Sequence, residues 1–164
     1  MRQIVLARID DRLIHGQIVT SWCKSTNAST ILIVDDRLSE DNFTQRLLRA
    51  AAPPDIKVEI MDLHAAVTWL AENDSTNQRI ILLSKTPQVM EELIKNGITL
   101  KSINLGGMGA KAGRSKLNKN ISASPEEVNC LRRMLENEVE IFYQLVPVER
   151  PVNMMNILKG EITK

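Results

Sequence analysis

This sequence is short of the features that assign a protein at sight, and each shortage excludes something. Only two cysteines are present, Cys23 and Cys130, and neither has a CxxC partner. Both fall within helical patterns and read as buried small hydrophobes in a reducing compartment, without chemistry of their own. No apolar run approaches the ~20 residues that span a bilayer, and the amino-terminal stretch reads as a strand rather than a signal peptide. Neither sign of charge is in excess: 21 basic and 20 acidic side chains leave a net +1. That balance gives no global attraction to nucleic acid or to a membrane surface, so any electrostatic message is local. Repeats, low-complexity segments and heptads are also lacking. What is left is 164 residues, 43% of them hydrophobic, expected to form one globular domain over residues 1–164 with a proper core.

Histidine is scarce too, which makes the surroundings of each one informative. His64 follows Asp62-Leu63 at the start of an expected helix, with no arginine within ten residues on either side, and reads as structural. His15 ends a different kind of stretch, Arg8-Ile9-Asp10-Asp11-Arg12-Leu13-Ile14-His15-Gly16-Gln17. The preceding Ile4-Val5-Leu6-Ala7 has the continuous apolar character of a parallel strand buried on both faces. The charged stretch is therefore a loop at the carboxyl end of that strand, where open parallel sheets bind ligands. Ile18, Val19 and Trp22 recur at helical spacing, so His15 should lie at or beside a helix amino terminus, an environment that favours anions.

These are the groups needed to take up and hand on a phosphoryl group. A neutral imidazole nitrogen is a good nucleophile near neutral pH, and Arg8 and Arg12 are expected to bind the equatorial oxygens of an incoming phosphoryl group. Asp10 or Asp11 can accept the other ring N–H, fixing the tautomer and favouring the cationic ring of a phosphohistidine. The plainer alternative is a polar cap or surface histidine.

Along the chain, apolar strands alternate with amphipathic helices. Strands are expected near Ile4 to Ile9, Thr30 to Asp35, Lys57 to Met61, Arg79 to Leu83, Ser102 to Leu105, Asn120 to Ala123 and Glu140 to Val146. Helices are expected near Gln17 to Thr26, Glu40 to Ala51, Leu63 to Glu72, Pro87 to Asn96, Pro125 to Glu136 and Pro151 to Leu158, with Pro87 and Pro125 as helix starts and Gly97 as a stop. The alternation predicts an α/β fold: a doubly wound, mostly parallel sheet with helices on both faces.

Other strand ends supply further candidates. Ser84 and Lys85 could add a hydroxyl and a cation to a phosphate site, or Ser84 or Thr86 could simply cap the next helix. Asp35, Asp36 and Arg37 read as an ordinary turn. Residues 106–119 carry Gly106, Gly107, Gly109 and Gly113 together with Lys111, Arg114, Lys116 and Lys119, and no acid. This reads as a flexible basic loop at the ligand edge, able to close over phosphate or to meet an acidic partner face. Arg114 stands out there because it adjoins a motif glycine. A GxGxxA match at Gly107, Gly109 and Ala112 is set aside, since it neither opens the first βαβ unit nor precedes an apolar helical face.

The segment from Arg8 to Gln17 resembles the active-site signature of the IIB components of the mannose/fructose/sorbose family of the bacterial sugar phosphotransferase system. Asn104-Leu105-Gly106-Gly107-Met108 followed by Gly113-Arg114 resembles that family's second characteristic loop, and the likeness extends along essentially the whole chain. The resemblance implies a sheet of about seven strands and a protein-histidine phosphotransferase that needs neither cofactor nor metal. His15 would be the phosphoacceptor, with Nδ1 the modified nitrogen, and Arg8, Asp10 and Arg12 its supporting residues. The implied partners are the IIA component as phosphoryl donor and the membrane components IIC and IID, which hold the sugar. The implied location is the cytoplasm, with peripheral attachment to the inner membrane through those partners.

A second reading is a receiver-like signalling module, phosphorylated on Asp62 with magnesium held by Asp10 and Asp11 and a hydroxyl from Ser84. Against it, Asp62 opens an expected helix, Gly106-Gly107 stand where a lysine-proline should follow the fifth strand, and His15 is left without a role.

Overall fold

The computed structural model describes residues 2–160, and the apolar runs at residues 31–34 and 80–83 become buried strands. In chain order the elements are β1 (Gln3–Asp10), α1 (Gly16–Thr26), β2 (Thr30–Val34), α2 (Asn42–Ala51), β3 (Lys57–Met61), α3 (Leu63–Ala71), β4 (Arg79–Ser84) and α4 (Pro87–Lys95). They continue with β5 (Ser102–Gly107), β6 (Ser115–Asn118), β7 (Ile121–Ala123), α5 (Pro125–Glu136), β8 (Glu140–Tyr143), β9 (Val152–Asn153) and α6 (Met155–Gly160).

Seven strands form the main sheet in the order β3-β2-β4-β1-β5-β8-β9. All its pairings are parallel except β8 with β9. The central strands have the near-continuous apolar sequences that burial on both faces requires; all five residues of β2 are buried. On one face Val19, Trp22 and Cys23 of α1 and Leu48 of α2 pack on Ile31, Ile33, Ile81 and Leu83. On the other, Ala66, Met90, Leu93, Leu131, Met134 and Leu158 of the remaining helices pack on Ile9, Leu32, Leu82 and Ile103. The doubly wound α/β expectation therefore holds.

This winding decides where a site can form. β1 sends its helix to one face, whereas its neighbours β4 and β5 are followed by α4 and α5 on the other. The connections diverge at the carboxyl end of β1, and such a switch point opens a crevice there.

Three expectations are corrected. The Asn120–Ala123 strand does not join the main sheet: β7 pairs antiparallel with β6, so part of the supposed basic loop is a hairpin. The seventh place is taken by β9, in a stretch read from sequence as helix; the helix starts only at Met155, whose N–H is held by Asn153 Oδ1 at 2.9 Å. The helix expected from Glu40 starts two residues later at Asn42, because Asp41 caps it by accepting from Thr44 N at 3.0 Å.

Candidate functional site

Asp10 is the last residue of β1 and the centre of the site. Because side chains alternate along a strand, Arg8 and Asp10 share one face while Ala7 and Ile9 enter the opposite core. Both charged residues are buried, with 2% and 0% exposure. Two ions so placed must satisfy each other and their surroundings, and here they do. Asp10 Oδ1 accepts from the backbone N–H of Arg12 at 3.1 Å and from Arg12 Nε at 3.0 Å. Its Oδ2 accepts from Arg8 Nη2 at 3.1 Å and from Arg12 Nη2 at 3.2 Å, and lies 3.1 Å from His15 Nε2. Burial alone would raise the Asp10 pKa, but the hydrogen bonds from Arg12 and His15 and the charge of Arg8 outweigh it and hold the carboxyl below its ordinary value.

His15 is the residue immediately before α1. Its extended backbone (φ −149°, ψ 129°) places it at the helix cap, yet its side chain makes no capping bond. The ring is therefore free for other work: Nε2 faces Asp10, and Nδ1 has no partner among the described residues. The turn that brings it back carries strain, since Leu13 adopts a left-handed φ of 58° while its N–H closes on Asp10 O at 2.9 Å.

The two arginines, both expected to grip phosphate, are engaged to different degrees. All four terminal N–H groups of Arg8 are taken, by Asn104 Oδ1, Gln144 O, Asp10 Oδ2 and Leu145 O. Its guanidinium also lies 5.4 Å from the centre of the Trp22 ring. Arg8 thus anchors Asp10 to the segment following β8 and has no terminal donor to spare for a ligand. Arg12 is 45% exposed, and its Nη1 has no partner among the described residues.

Gly106 and Gly107 make room for this cluster. A Cβ on Gly106 would collide with the Arg8 guanidinium, and one on Gly107 would fall 2.8 Å from Arg12 Nη2 and 3.0 Å from Asp10 Oδ1. The β1–β5 register skips Gly106, pairing Ile9 with Leu105 and Asp10 with Gly107. The glycine pair is a floor for side chains.

Arg114 is likewise engaged. It grips Glu127 through Nε and Nη2 at 2.9 and 2.8 Å, and through Nη1 reaches Gly109 O at 2.9 Å and Asp11 Oδ2 at 3.4 Å. The acids missing from its own segment are supplied by the β1 loop and by the capping box of α5. Although burial opposes it, this company raises the Arg114 pKa.

The remaining candidates stand apart. Ser84, beside Ile9 in the sheet, is buried and donates to Thr86 O at 2.9 Å. Lys85 lies 3.7 Å from Asp35. Cys23 and Cys130 are buried and their thiols are pushed up to about 11 and about 12, chiefly by that burial, which suits small hydrophobes. Asp62 caps α3 by accepting from Ala65 N at 2.7 Å. Its strand, β3, is three places from β1, roughly 14 Å at ordinary strand spacing, so Asp62 cannot share a magnesium ion with Asp10 and Asp11. The receiver-like reading ends there.

Sequence reasoning missed Trp22, Gln144, Leu145 and Glu127. The last had a signal, since Ser124-Pro125-Glu126-Glu127 is a capping-box pattern; the contacts to the Gln144 and Leu145 carbonyls leave no trace in residue type.

Comparison with known proteins places the chain in a family. The family model described as PTS system sorbose subfamily IIB component matches residues 4–164. The sorbose-specific EIIB component of Lacticaseibacillus casei is 36% identical over 146 residues, covering 89% of each chain. The mannose-specific EIIAB component of Escherichia coli K12 is 31% identical over 94% of this chain, which spans only 48% of that longer protein. Among solved structures, the IIBSor domain of the sorbose permease from Klebsiella pneumoniae superposes with a TM-score of 0.92 at 33% identity, covering 96% of this chain and 97% of the other. No helix among the described residues is long and apolar enough to cross a membrane.

Proposed function

Since the chain belongs to the sorbose subfamily of phosphotransferase-system IIB components, we propose that His15 Nδ1 accepts a phosphoryl group from a phosphohistidine of a IIA component and passes it to a sugar held by IIC and IID membrane components. The supporting observation is the engagement of Nε2 by Asp10, 3.1 Å away, which leaves Nδ1 as the ring nitrogen without a partner among the described residues. With the ring proton on Nε2, the Nδ1 lone pair attacks phosphorus. The bond to the donor imidazole breaks, and its electron pair returns to that ring. His15 becomes an N-phosphorylated, cationic imidazole, and the Asp10 carboxylate stabilises the new charge.

Arg12 supplies the cation for the transferring group, since its Nη1 faces no competing acceptor among the described residues. In the second step a sugar hydroxyl attacks in line, the P–Nδ1 bond breaks, and the electron pair returns to His15; the hydroxyl proton leaves to a base of the acceptor complex. Arg8 serves by holding Asp10. In the cell the protein acts on the cytoplasmic side, meeting the inner membrane only through its partners.

The nature of the phosphoryl bond tests this reading. Phosphate that is labile in acid, stable in base and acquired without magnesium is expected. Phosphate cleaved by hydroxylamine and dependent on magnesium would be an acyl phosphate on an aspartate and would overturn it.

A further inference from the structure

A cavity of about 370 Å³ lies directly beside Arg12, on the side of β5 and the β6–β7 hairpin. Its wall includes Arg12, Lys116, Lys119, Asn120 and Ser122, and its volume falls in the range that holds small molecules. Lys116 and Lys119 are exposed and take part in no ion pair among the described residues, and the Ser122 hydroxyl, on a residue only 8% exposed, makes no hydrogen bond there. The one carboxylate on the wall among the described residues, Asp11, is already committed. Its Oδ2 accepts from Gly109 N at 2.7 Å and lies 3.4 Å from Arg114 Nη1. Arg114 thereby draws Asp11 away from Lys116 and Lys119, and with Arg12 held by Asp10 through Nε and Nη2 the wall keeps two unpaired lysines and the Nη1 of Arg12.

We propose that this cavity is a phosphate-monoester subsite, in which Lys116, Lys119 and Arg12 hold the phosphate of a sugar phosphate and Asn120 and Ser122 meet its hydroxyls. The inference rests on the relay reading, because Arg12 then borders both the phosphohistidine and the cavity, and the product's phosphate is formed within reach of a ready anion site. Recognition is by the dianionic monoester. A free sugar lacks the charge, and inorganic phosphate lacks the hydroxyls.

The test is an amide-resolved NMR titration of His15→Ala protein at constant ionic strength, using glucose 6-phosphate, glucose and inorganic phosphate as probes. Glucose 6-phosphate should give saturable shifts centred on Gly109, Ala110 and Asn120, inorganic phosphate weaker ones at the same amides, and glucose none. The double substitution Lys116→Ala and Lys119→Ala, both at exposed positions, should weaken the sugar phosphate about tenfold or more with the rest of the spectrum unchanged. Shifts that do not saturate, or an affinity unaltered in the double variant, would overturn the subsite. So would inorganic phosphate binding as tightly as the monoester. If small anions fail to bind while the same lysine variants slow phosphorylation by IIA, the cavity is a protein-docking surface and the proposal is wrong. Because His15→Ala carries no phosphoryl group, this outcome is independent of whether His15 is the relay residue.

Discussion

His15 Nε2 lies 3.1 Å from Asp10 Oδ2, and that same oxygen accepts from Arg8 Nη2 at 3.1 Å. The carboxylate thereby couples a partly exposed imidazole to a buried cation. On the proposed relay, charge created on the imidazole by phosphorylation would be met by an anion already held in place, so little reorganisation would be needed at the moment of transfer.

Replacing Asp10 with asparagine should separate these roles. The amide keeps the shape but loses the charge, so single-turnover acceptance of phosphoryl should fall at least about 100-fold. Arg8 would be left buried without its counter-ion, and urea unfolding should show a loss of about 3 kcal/mol. Unchanged acceptance would remove Asp10 from the chemistry.

The pH dependence has a definite sign. Because the folded-state pKa of Asp10 is depressed, its contribution is complete above the ordinary carboxylate range. It is lost as pH falls below about 4 and through the depressed folded value. Glu127, whose pKa is lowered mainly by Arg114 against the effect of burial, acts in the same direction. Wild-type stability should therefore decline on the acid side more steeply than that of Asp10→Asn, as denaturation midpoints between pH 3 and pH 7 can measure.

Arg8 and Arg12 should respond in opposite ways to conversion to lysine. Arg12 is half exposed, so Arg12→Lys should cost less than about 1 kcal/mol of stability yet slow transfer about tenfold or more, since lysine lacks the planar fork that bonds Asp10 through Nε and Nη2 while leaving Nη1 for the phosphoryl group. Arg8→Lys should destabilise by about 3 kcal/mol through unmet buried acceptors. It should also alter the fluorescence of Trp22, whose Nε1 donates to the same Leu145 carbonyl that Arg8 reaches. Equal effects on rate and stability in the two variants would contradict the division.

Gly106→Ala places a methyl group on the Arg8 guanidinium, whereas Gly109→Ala meets, among the described residues, only Asp11 Oδ2 at 3.3 Å. Thermal unfolding should show a loss of about 2 kcal/mol or more in the first and a clearly smaller one in the second. The reverse order would mean that the glycine floor is misassigned.

Much of this was legible in the sequence because it is local. Ile31 to Val34 and Ile80 to Leu83 announce buried strands by composition, and the five-residue offset from Asp10 to His15 carries the histidine from strand end to helix cap. What escaped is set by long-range pairing or by satisfaction of buried groups. Nothing local in Val152-Asn153 shows that β8 will take it as an antiparallel edge. Arginines at positions 8 and 12 look equivalent in the chain, and only the sheet's alternation and the carbonyls after β8 make one structural and leave the other open. Arg114 looked free because its acids, Asp11 and Glu127, come from two other segments.

The central claim is that phosphoryl resides on His15, and intact-protein mass spectrometry at mildly alkaline pH tests it most directly. The protein would be incubated with phosphoenolpyruvate, the general phosphotransferase proteins and a matching IIA, and the modified residue mapped, with His15→Ala and His64→Ala alongside. The account predicts a single added phosphate on His15 that is discharged by membranes containing the cognate transporter and its sugar, lost in His15→Ala and kept in His64→Ala. Phosphate on any other residue, or acceptance surviving in His15→Ala, would contradict it.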